Sequence, residues 1–217
     1  DLLLRTLQGG AISLGVGLSA AAVSVFIGTF YGAISGQAGG AVDRWMMRVV
    51  DTLYGLPYIL LVILLMVYAK QSFAMLIVAI GAVTWLTMAR IVRGDVLRIR
   101  ESEYVIAARA LGVPPWRILL VHLLPNLAGP IIVCATLTVP VAILQESFLS
   151  FLGIGIQAPV PTRGSLAAEG VKAVNTVVSF WWTVLFPCGL LGLTLLCLNF
   201  IGDGLRDAFD PKTKRTK

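Results

Sequence analysis

Five long windows of this sequence contain no Asp, Glu, Lys or Arg. A membrane-spanning helix needs about 20 apolar residues, and a charge at its centre costs about 2.5–3.5 kcal/mol. The windows cover residues 6–42, 52–69, 71–89, 118–145 and 173–202. They predict an all-α integral membrane protein that crosses the bilayer several times. Because 58% of the residues are apolar and only 13% are charged, an ordinary soluble domain is excluded.

Glycine and proline positions turn these windows into predicted spans. Gly32, Gly36, Gly39 and Gly40 suit a turn, so the first span is expected at about residues 12–33. The next two windows form two spans joined by a tight turn at Lys70, and the last two spans are placed at about 126–145 and 178–200. Pro125 suits the start of the fourth span, and Pro140 is expected to kink it. Since the chain begins at Asp1, we expect further sequence upstream.

The basic residues are divided unevenly between the two sides that five spans create. Segments 34–51, 90–117 and 202–217 hold thirteen Lys and Arg residues, and the opposite side holds four. Because cytoplasmic loops of membrane proteins are enriched in Lys and Arg, these three segments and the C-terminus are predicted to be cytoplasmic. The net charge of +6 therefore indicates topology rather than nucleic-acid binding.

Few residues of this chain could carry out chemistry. His122 is the only histidine, and an interfacial position is its favoured interpretation. Cys134, Cys188 and Cys197 lie in apolar windows and are interpreted as small buried hydrophobes. Glu146 follows a predicted span and is expected to be a solvated carboxylate at the outer interface. Because the sequence has no metal-ligand spacing and no phosphate-binding loop, we expect no enzymatic activity and no cofactor, and ATP-driven work would need another polypeptide.

Small residues recur at every fourth position of the first window. Such a ridge lets helix backbones approach closely in lipid, and packing within this chain is favoured over a dimer interface. Its members are Ala20, Ser24, Gly28, Gly32, Gly36 and Gly40.

The segment between the third and fourth spans is too long to be a simple turn. Residues 101–113 favour a short helix that stops at Gly112, and Pro114-Pro115 prevents its continuation. A second amphipathic piece covers residues 116–124. Such an exposed segment either docks on a partner or lies on the membrane surface, and composition alone leaves both possibilities open.

Ala107-Ala108, Gly112 and Leu124-Pro125 resemble the EAA loop of permeases from binding-protein-dependent ABC importers. The usual motif has Glu and Ile where this chain has Ile106 and His122. The resemblance implies that the segment, residues 94–120, couples the spans to an ATPase. It implies this role for Glu103, Tyr104, Ala107, Ala108, Arg109, Leu111 and Gly112.

The rest of the chain resembles the C-type permease of oligopeptide and dipeptide importers, through runs such as Glu146–Gly153 and Asn199–Pro211. This resemblance implies a type I ABC-importer permease fold in the bacterial inner membrane, with a sixth, N-terminal span before Asp1. It also implies a B-type permease partner, two ATPase subunits that bind ATP and magnesium, and an extracytoplasmic peptide-binding protein. A related importer of nickel or another small solute is the alternative, and a stand-alone channel or carrier is disfavoured because the predicted spans contain no ionisable residue.

The expected organisation is one transmembrane domain over residues 1–217, with a cytoplasmic tail over 202–217. Residues 146–176 form the largest outward connection. Their apolar run at 148–152 is expected to be a re-entrant or interfacial helix that lines or caps the outer mouth of the pathway. Glu146, Phe148 and Phe151 are the candidate residues of this outer pathway.

Overall fold

The computed structural model describes residues 2–68, 72–156, 159–174 and 180–209, and these segments are mostly helical. The chain order is α1 (Leu2–Ala38), α2 (Gly40–Tyr54), α3 (Tyr58–Tyr68), α4 (Phe73–Ile99), α5 (Glu103–Ala110), α6 (Pro115–Arg117), a π-helix (Ile118–Leu123), α7 (Leu124–Asn126), α8 (Ala128–Phe151), α9 (Arg163–Ala173) and α10 (Trp182–Phe209).

Four of these helices, α1, α4, α8 and α10, are long and apolar enough to cross a membrane. Helices α2 and α3 meet at an angle of 85° and give a fifth crossing if the bent pair counts as one span. The polytopic helical fold is therefore as expected. The predicted span over 52–69 is different, because its straight part is only the 11-residue helix α3. The predicted turn at Lys70 lies outside the described residues.

Three of the predicted spans are shorter than the helices that contain them. Helix α1 is 37 residues long and includes Gly32 and Gly36, which were assigned to a turn. Helix α8 continues through Phe151 without a break at Pro140, so the run at 148–152 is the end of a long helix and not a separate interfacial helix. Helix α10 continues to Phe209, so the predicted tail begins as helix.

Helix α1 lies at the centre of the fold and packs most extensively against α4 among the described helices. Its small residues allow this close approach. A Cβ added to Gly32 would overlap the backbone of Ala89, and one added to Gly36 would lie 2.8 Å from the side chain of Val96. The small-residue ridge therefore packs within the chain, as expected. It ends at Gly36, because Gly40 lies beyond the helix and has open space around it.

A glycine pair ends α1 and starts α2. Gly39 and Gly40 have φ angles of 65° and 58°, in the left-handed region that only glycine adopts easily. The predicted turn at these two glycines is confirmed. It places α2 against α4, where the pairs Asp43–Arg93 and Asp51–Arg90 join the two helices.

Helix α10 exposes most of its apolar surface, because only 6% of its most apolar window is buried in this chain. Cys188 and Cys197 lie on this helix and are exposed, so their interpretation as buried residues is wrong; Cys134 is partly buried. An apolar helix without internal cover must face lipid or another subunit.

Candidate functional site

The segment that resembles a coupling loop is an extension of the span helices. Helix α4 runs on to Ile99, a short turn follows, and α5 begins after Ser102, whose hydroxyl donates to the Ile99 carbonyl at 2.6 Å. Helix α5 is only eight residues long. Since so short a helix is unstable alone in water, its geometry depends on contacts with the rest of the bundle.

Gly112 ends α5 in the manner predicted. Its φ angle is 77°, and two backbone hydrogen bonds close the helix end: Gly112 donates to Arg109 at 2.9 Å, and Val113 donates to Ala108 at 3.1 Å. This pair of bonds is a Schellman motif, which requires a left-handed residue at the position of Gly112. The glycine is therefore needed by the backbone, since a Cβ at this position would meet no atom of this chain within 4 Å.

The inner face of α5 packs on the bundle. Val105 is fully buried in a core cluster that includes Met88 and Val92 of α4 and Ile118 of the π-helix. Ala108 is 8% exposed on the same face. Ala108 is therefore covered by its own chain, and its side chain is not available for contact with a partner.

The outer face of α5 carries apolar side chains in contact with solvent. Tyr104, Ala107 and Leu111 recur at i, i+3 and i+7 and share one face, and Leu111 is 84% exposed. Trp116, just beyond Pro115, is 64% exposed. We call these four residues the docking surface. Glu103 and Arg109, the other two predicted coupling residues, are also exposed.

A π-helix leads from the docking surface back into the bundle. It spans Ile118–Leu123 and continues through α7 into α8, and π-helical turns are frequent at functional sites. Pro125 lies in α7, close to the predicted start of the fourth span. His122 belongs to the π-helix, with its ring centroid 6.5 Å from that of Tyr104. The described residues contain no group of His, Cys, Asp and Glu that could hold a metal.

Side-chain hydrogen bonds fasten this segment to the end of α1. Arg100 donates to the carbonyl of Gly36 at 2.9 Å, and the amide of Gln37 lies 3.5 Å from the carbonyl of Pro115. Both contacts join residues far apart in sequence. They connect the segment to α1, in addition to its chain connections to α4 and α8.

A buried ion pair holds α2 in place beside these contacts. Asp43 is 7% exposed and accepts two hydrogen bonds from Arg93, at 2.5 and 2.6 Å, and one from Ser35 at 2.5 Å. Because the carboxylate is paired and hydrogen-bonded, its burial is compensated. At the other end of α2, the Arg90 guanidinium lies 4.1 Å from the ring centroid of Tyr54.

Of the three candidate residues of the outer pathway, one is buried and two are exposed. Glu146 is fully buried in α8 and accepts hydrogen bonds from Ser150 at 2.7 Å and Ser147 at 3.3 Å. The expectation of a solvated carboxylate is therefore wrong, and an ionisable residue does lie inside a long apolar helix. Phe148 and Phe151 are 43% and 41% exposed.

Arg163, at the start of α9, is the second buried charge near this end of α8. Its guanidinium donates to Thr194 of α10 at 2.7 Å, and it interacts electrostatically with Glu146. Gly164 brings the backbone of α9 into close contact with Ser147. These contacts fix α9 against α8 and α10.

A groove of about 540 Å³ opens between the α2–α3 corner, α4 and α8. Its described lining is uncharged, and apolar side chains dominate it. Its polar lining residues include Tyr54, Thr84, Thr138 and Gln145.

These features together define a transport subunit of the membrane, with a buried helical bundle, a groove beside it and an exposed docking segment. The chain belongs to the family of binding-protein-dependent transport system inner membrane components, whose model matches residues 6–215. The resemblance recognised in the sequence is thus confirmed. This family consists of transport permeases and not of catalytic subunits.

Curated relatives agree over nearly the whole chain. The dipeptide transport system permease protein DppC of Bacillus subtilis is 48% identical over 215 residues, covering 99% of this chain and 67% of the relative. The oligopeptide transport system permease proteins OppC of Haemophilus influenzae and Escherichia coli are 49% and 48% identical, covering 99% of this chain and 68% and 70% of those proteins.

A solved structure supports the fold. An inward-facing conformation of the MetNI methionine ABC transporter matches with a TM-score of 0.78 and 18% identity, covering 95% of this chain and 97% of that one. The type I ABC-importer permease fold expected from the sequence is confirmed.

Sequence reasoning missed the Asp43–Arg93 pair, the buried Glu146 and Arg163, and the groove. Asp43 and Arg93 are 50 residues apart, so no helical spacing rule connects them. Glu146 did offer one signal, since serines lie one and four residues after it, where they can donate to its carboxylate.

Proposed function

We propose that this chain is the C-type permease subunit of an importer of oligopeptides or dipeptides. Family membership gives the permease class, and the names of the relatives from three bacteria support a peptide substrate. Together with a homologous B-type permease it forms the membrane pathway. The apolar exposed surface of α10 and the groove beside α8 are the surfaces available for that partner and for the pathway.

The energy comes from two ATPase subunits, which bind ATP and magnesium, and an extracytoplasmic peptide-binding protein delivers the substrate. The protein lies in the bacterial inner membrane with its C-terminus in the cytoplasm. The thirteen-to-four division of basic residues supports this orientation, and it puts the docking surface on the cytoplasmic side.

The observation that carries this proposal is the docking surface on α5. An 84% exposed leucine and a 64% exposed tryptophan lie close together on this surface, and such exposed apolar patches mark interaction sites. Closure of the ATPase pair pulls on this surface. The motion passes to α1 through Arg100 and Gln37, and to α8 through the π-helix. The spans then change between outward-open and inward-open arrangements.

At the opposite end, residues 146–176 form the extracytoplasmic connection near the docked binding protein. Phe148 and Phe151 have exposed rings that can line the outer mouth. Glu146 holds the end of α8 through its hydrogen bond with Ser150. Its side chain is fully buried, so it cannot contact a passing peptide. The buried Arg163 positions α9 in the same way.

The test is Leu111→Glu in the full-length subunit, expressed with its partners. Burial of a leucine is worth about 1.5–3 kcal/mol, and a buried unpaired charge costs several kcal/mol more. Peptide uptake should therefore fall by at least about tenfold, and the ATPase subunits should be lost on purification. The amount of subunit in the membrane should not change, because the side chain already lies in water.

Ile106→Glu is the matched control. Ile106 is on the same short helix and is 54% exposed, but it lies off the face shared by Tyr104, Ala107 and Leu111. The control adds the same charge, and it restores the residue found in the EAA motif. Uptake should stay close to that of the unmodified protein. Equal effects of the two substitutions, or normal uptake with Leu111→Glu, would show that the docking surface is not where the ATPase binds.

A further inference from the structure

The groove between the α2–α3 corner, α4 and α8 has an unusual distribution of hydrogen-bonding groups. Thr84 and Thr138 donate their hydroxyl protons to carbonyls of their own helices, at 3.0 Å and 2.7 Å. Their oxygens keep lone pairs and can only accept from a ligand in this arrangement. The side-chain oxygen of Gln145 is buried and has no hydrogen-bond partner among the described residues.

The groove is therefore neutral, and its polar lining combines the acceptors of Thr84, Thr138 and Gln145 with donors such as the Tyr58 hydroxyl and the amide N–H groups of Gln145. A ligand that satisfies these three acceptors must bring N–H or O–H donors, and it must tolerate the apolar walls formed by residues such as Leu86, Leu137 and Val141. An acyl chain of a lipid has no donors to offer. The backbone of a peptide offers one N–H group at every residue except proline.

We infer that this groove binds the main chain of the transported peptide, with Gln145 and Thr138 accepting hydrogen bonds from backbone N–H groups. The inference rests on the proposed function and adds a location and a selection rule to it. Because the described lining is uncharged, this subunit does not distinguish acidic from basic peptides. A buried acceptor left without a partner is costly, so the bound peptide also satisfies a group that the empty groove leaves unpaired.

Gln145→Glu tests the selection rule, because glutamate keeps the shape of glutamine and adds a negative charge. Uptake of a lysine-containing and a glutamate-containing tripeptide is measured in membrane vesicles that hold the assembled importer. The ratio of the two uptake rates should shift by about tenfold in favour of the lysine peptide, relative to the unmodified importer. A merely structural role of Gln145 would lower both rates and leave the ratio unchanged, and that result would overturn the inference.

Thr138→Val tests the acceptor role against a close control. Valine keeps the shape of threonine and removes the hydroxyl, so uptake of both peptides should fall by about fivefold. Thr136→Val removes the same kind of local bond, since Thr136 donates to Ile132 at 2.6 Å, but this residue does not line the groove. It should leave uptake unchanged. Equal effects of the two valine variants would overturn the inference.

A photoreactive benzoylphenylalanine in place of Val141 gives a second measurement that does not depend on uptake rates. Val141 lines the groove and is 48% exposed. An adduct with a labelled peptide, lost when excess unlabelled peptide is added, would support the inference. Adducts formed only with lipid or with another subunit would overturn it. If the unmodified importer transports no peptide at all, the proposed function itself is wrong. If it transports peptide but the variants and adducts do not behave as described, only the inference about the groove is wrong.

Discussion

The packing of α1 against α4 predicts that Gly32→Ala will destabilise the bundle. A Cβ at this position would overlap the carbonyl oxygen of Ala89 and lie 3.1 Å from its Cα. Both atoms belong to the backbone of α4, so no side chain can rotate away to make room. The two helices must separate, and the contacts along their shared face weaken.

Two opposing effects determine how much Gly32→Ala changes the free energy of unfolding. Overpacking a close contact costs about 1–3 kcal/mol, whereas replacing glycine by alanine inside a helix gains about 1 kcal/mol. Gly15→Ala separates them, because Gly15 is also in α1 and a Cβ there would meet no atom within 4 Å. Gly15→Ala should therefore be neutral or slightly stabilising. The difference between the two variants should be about 1–3 kcal/mol, the cost of overpacking alone.

Thermal unfolding of the detergent-purified subunit, followed by size-exclusion chromatography, measures this difference. Gly32→Ala should unfold at a temperature several degrees below Gly15→Ala, at about 2–4 °C for each kcal/mol. Equal unfolding temperatures for the two alanine variants would refute the close approach of α1 and α4 at this position.

Two further results are expected. Gly112→Val should reduce co-purification of the ATPase subunits, whereas Gly112→Asn should preserve it. The φ angle of 77° costs most side chains about 1–2 kcal/mol, but asparagine tolerates it. Equal loss of the ATPase subunits from both variants would point to side-chain bulk instead. In a subunit whose three native cysteines are replaced by serine, a cysteine at Lys172 should react with an impermeant thiol reagent outside intact cells, and one at Arg98 only after the membrane is opened. The reverse pattern would invert the proposed orientation.

Local features of the sequence predicted most of the fold. The uncharged windows identify long helices because insertion of each helix depends on its own residues. The stop at Gly112 was predictable for the same reason, since the hydrogen bonds that require it lie within six residues. The face of α5 that meets the bundle was not predictable. It depends on how α4 and the π-helix approach Val105, and no sequence spacing records that geometry.

Helix boundaries were missed where tertiary contacts extend a helix beyond its apolar part. The first turns of α1 contain Thr6 and Gly9, which precede the span predicted at about 12–33. Both are buried, and a Cβ at Gly9 would lie 3.1 Å from the backbone of Thr162 at the start of α9. The part of α1 before residue 12 thus packs against a segment more than 150 residues away in the sequence, and no local pattern records that contact.

Charge marked the ends of spans correctly only where the charges lie in water. Glu146 seemed to end α8, but two serines bind its carboxylate and the helix continues to Phe151. Arg163 counted as one of four basic residues on the outer side, yet it is buried and bound to Thr194. Setting it aside makes the division of basic residues more uneven than the sequence alone indicates. The proposed orientation therefore rests on the exposed basic residues of the segments predicted to be cytoplasmic, such as Arg98, whose side chain is 74% exposed even though it pairs with Asp95.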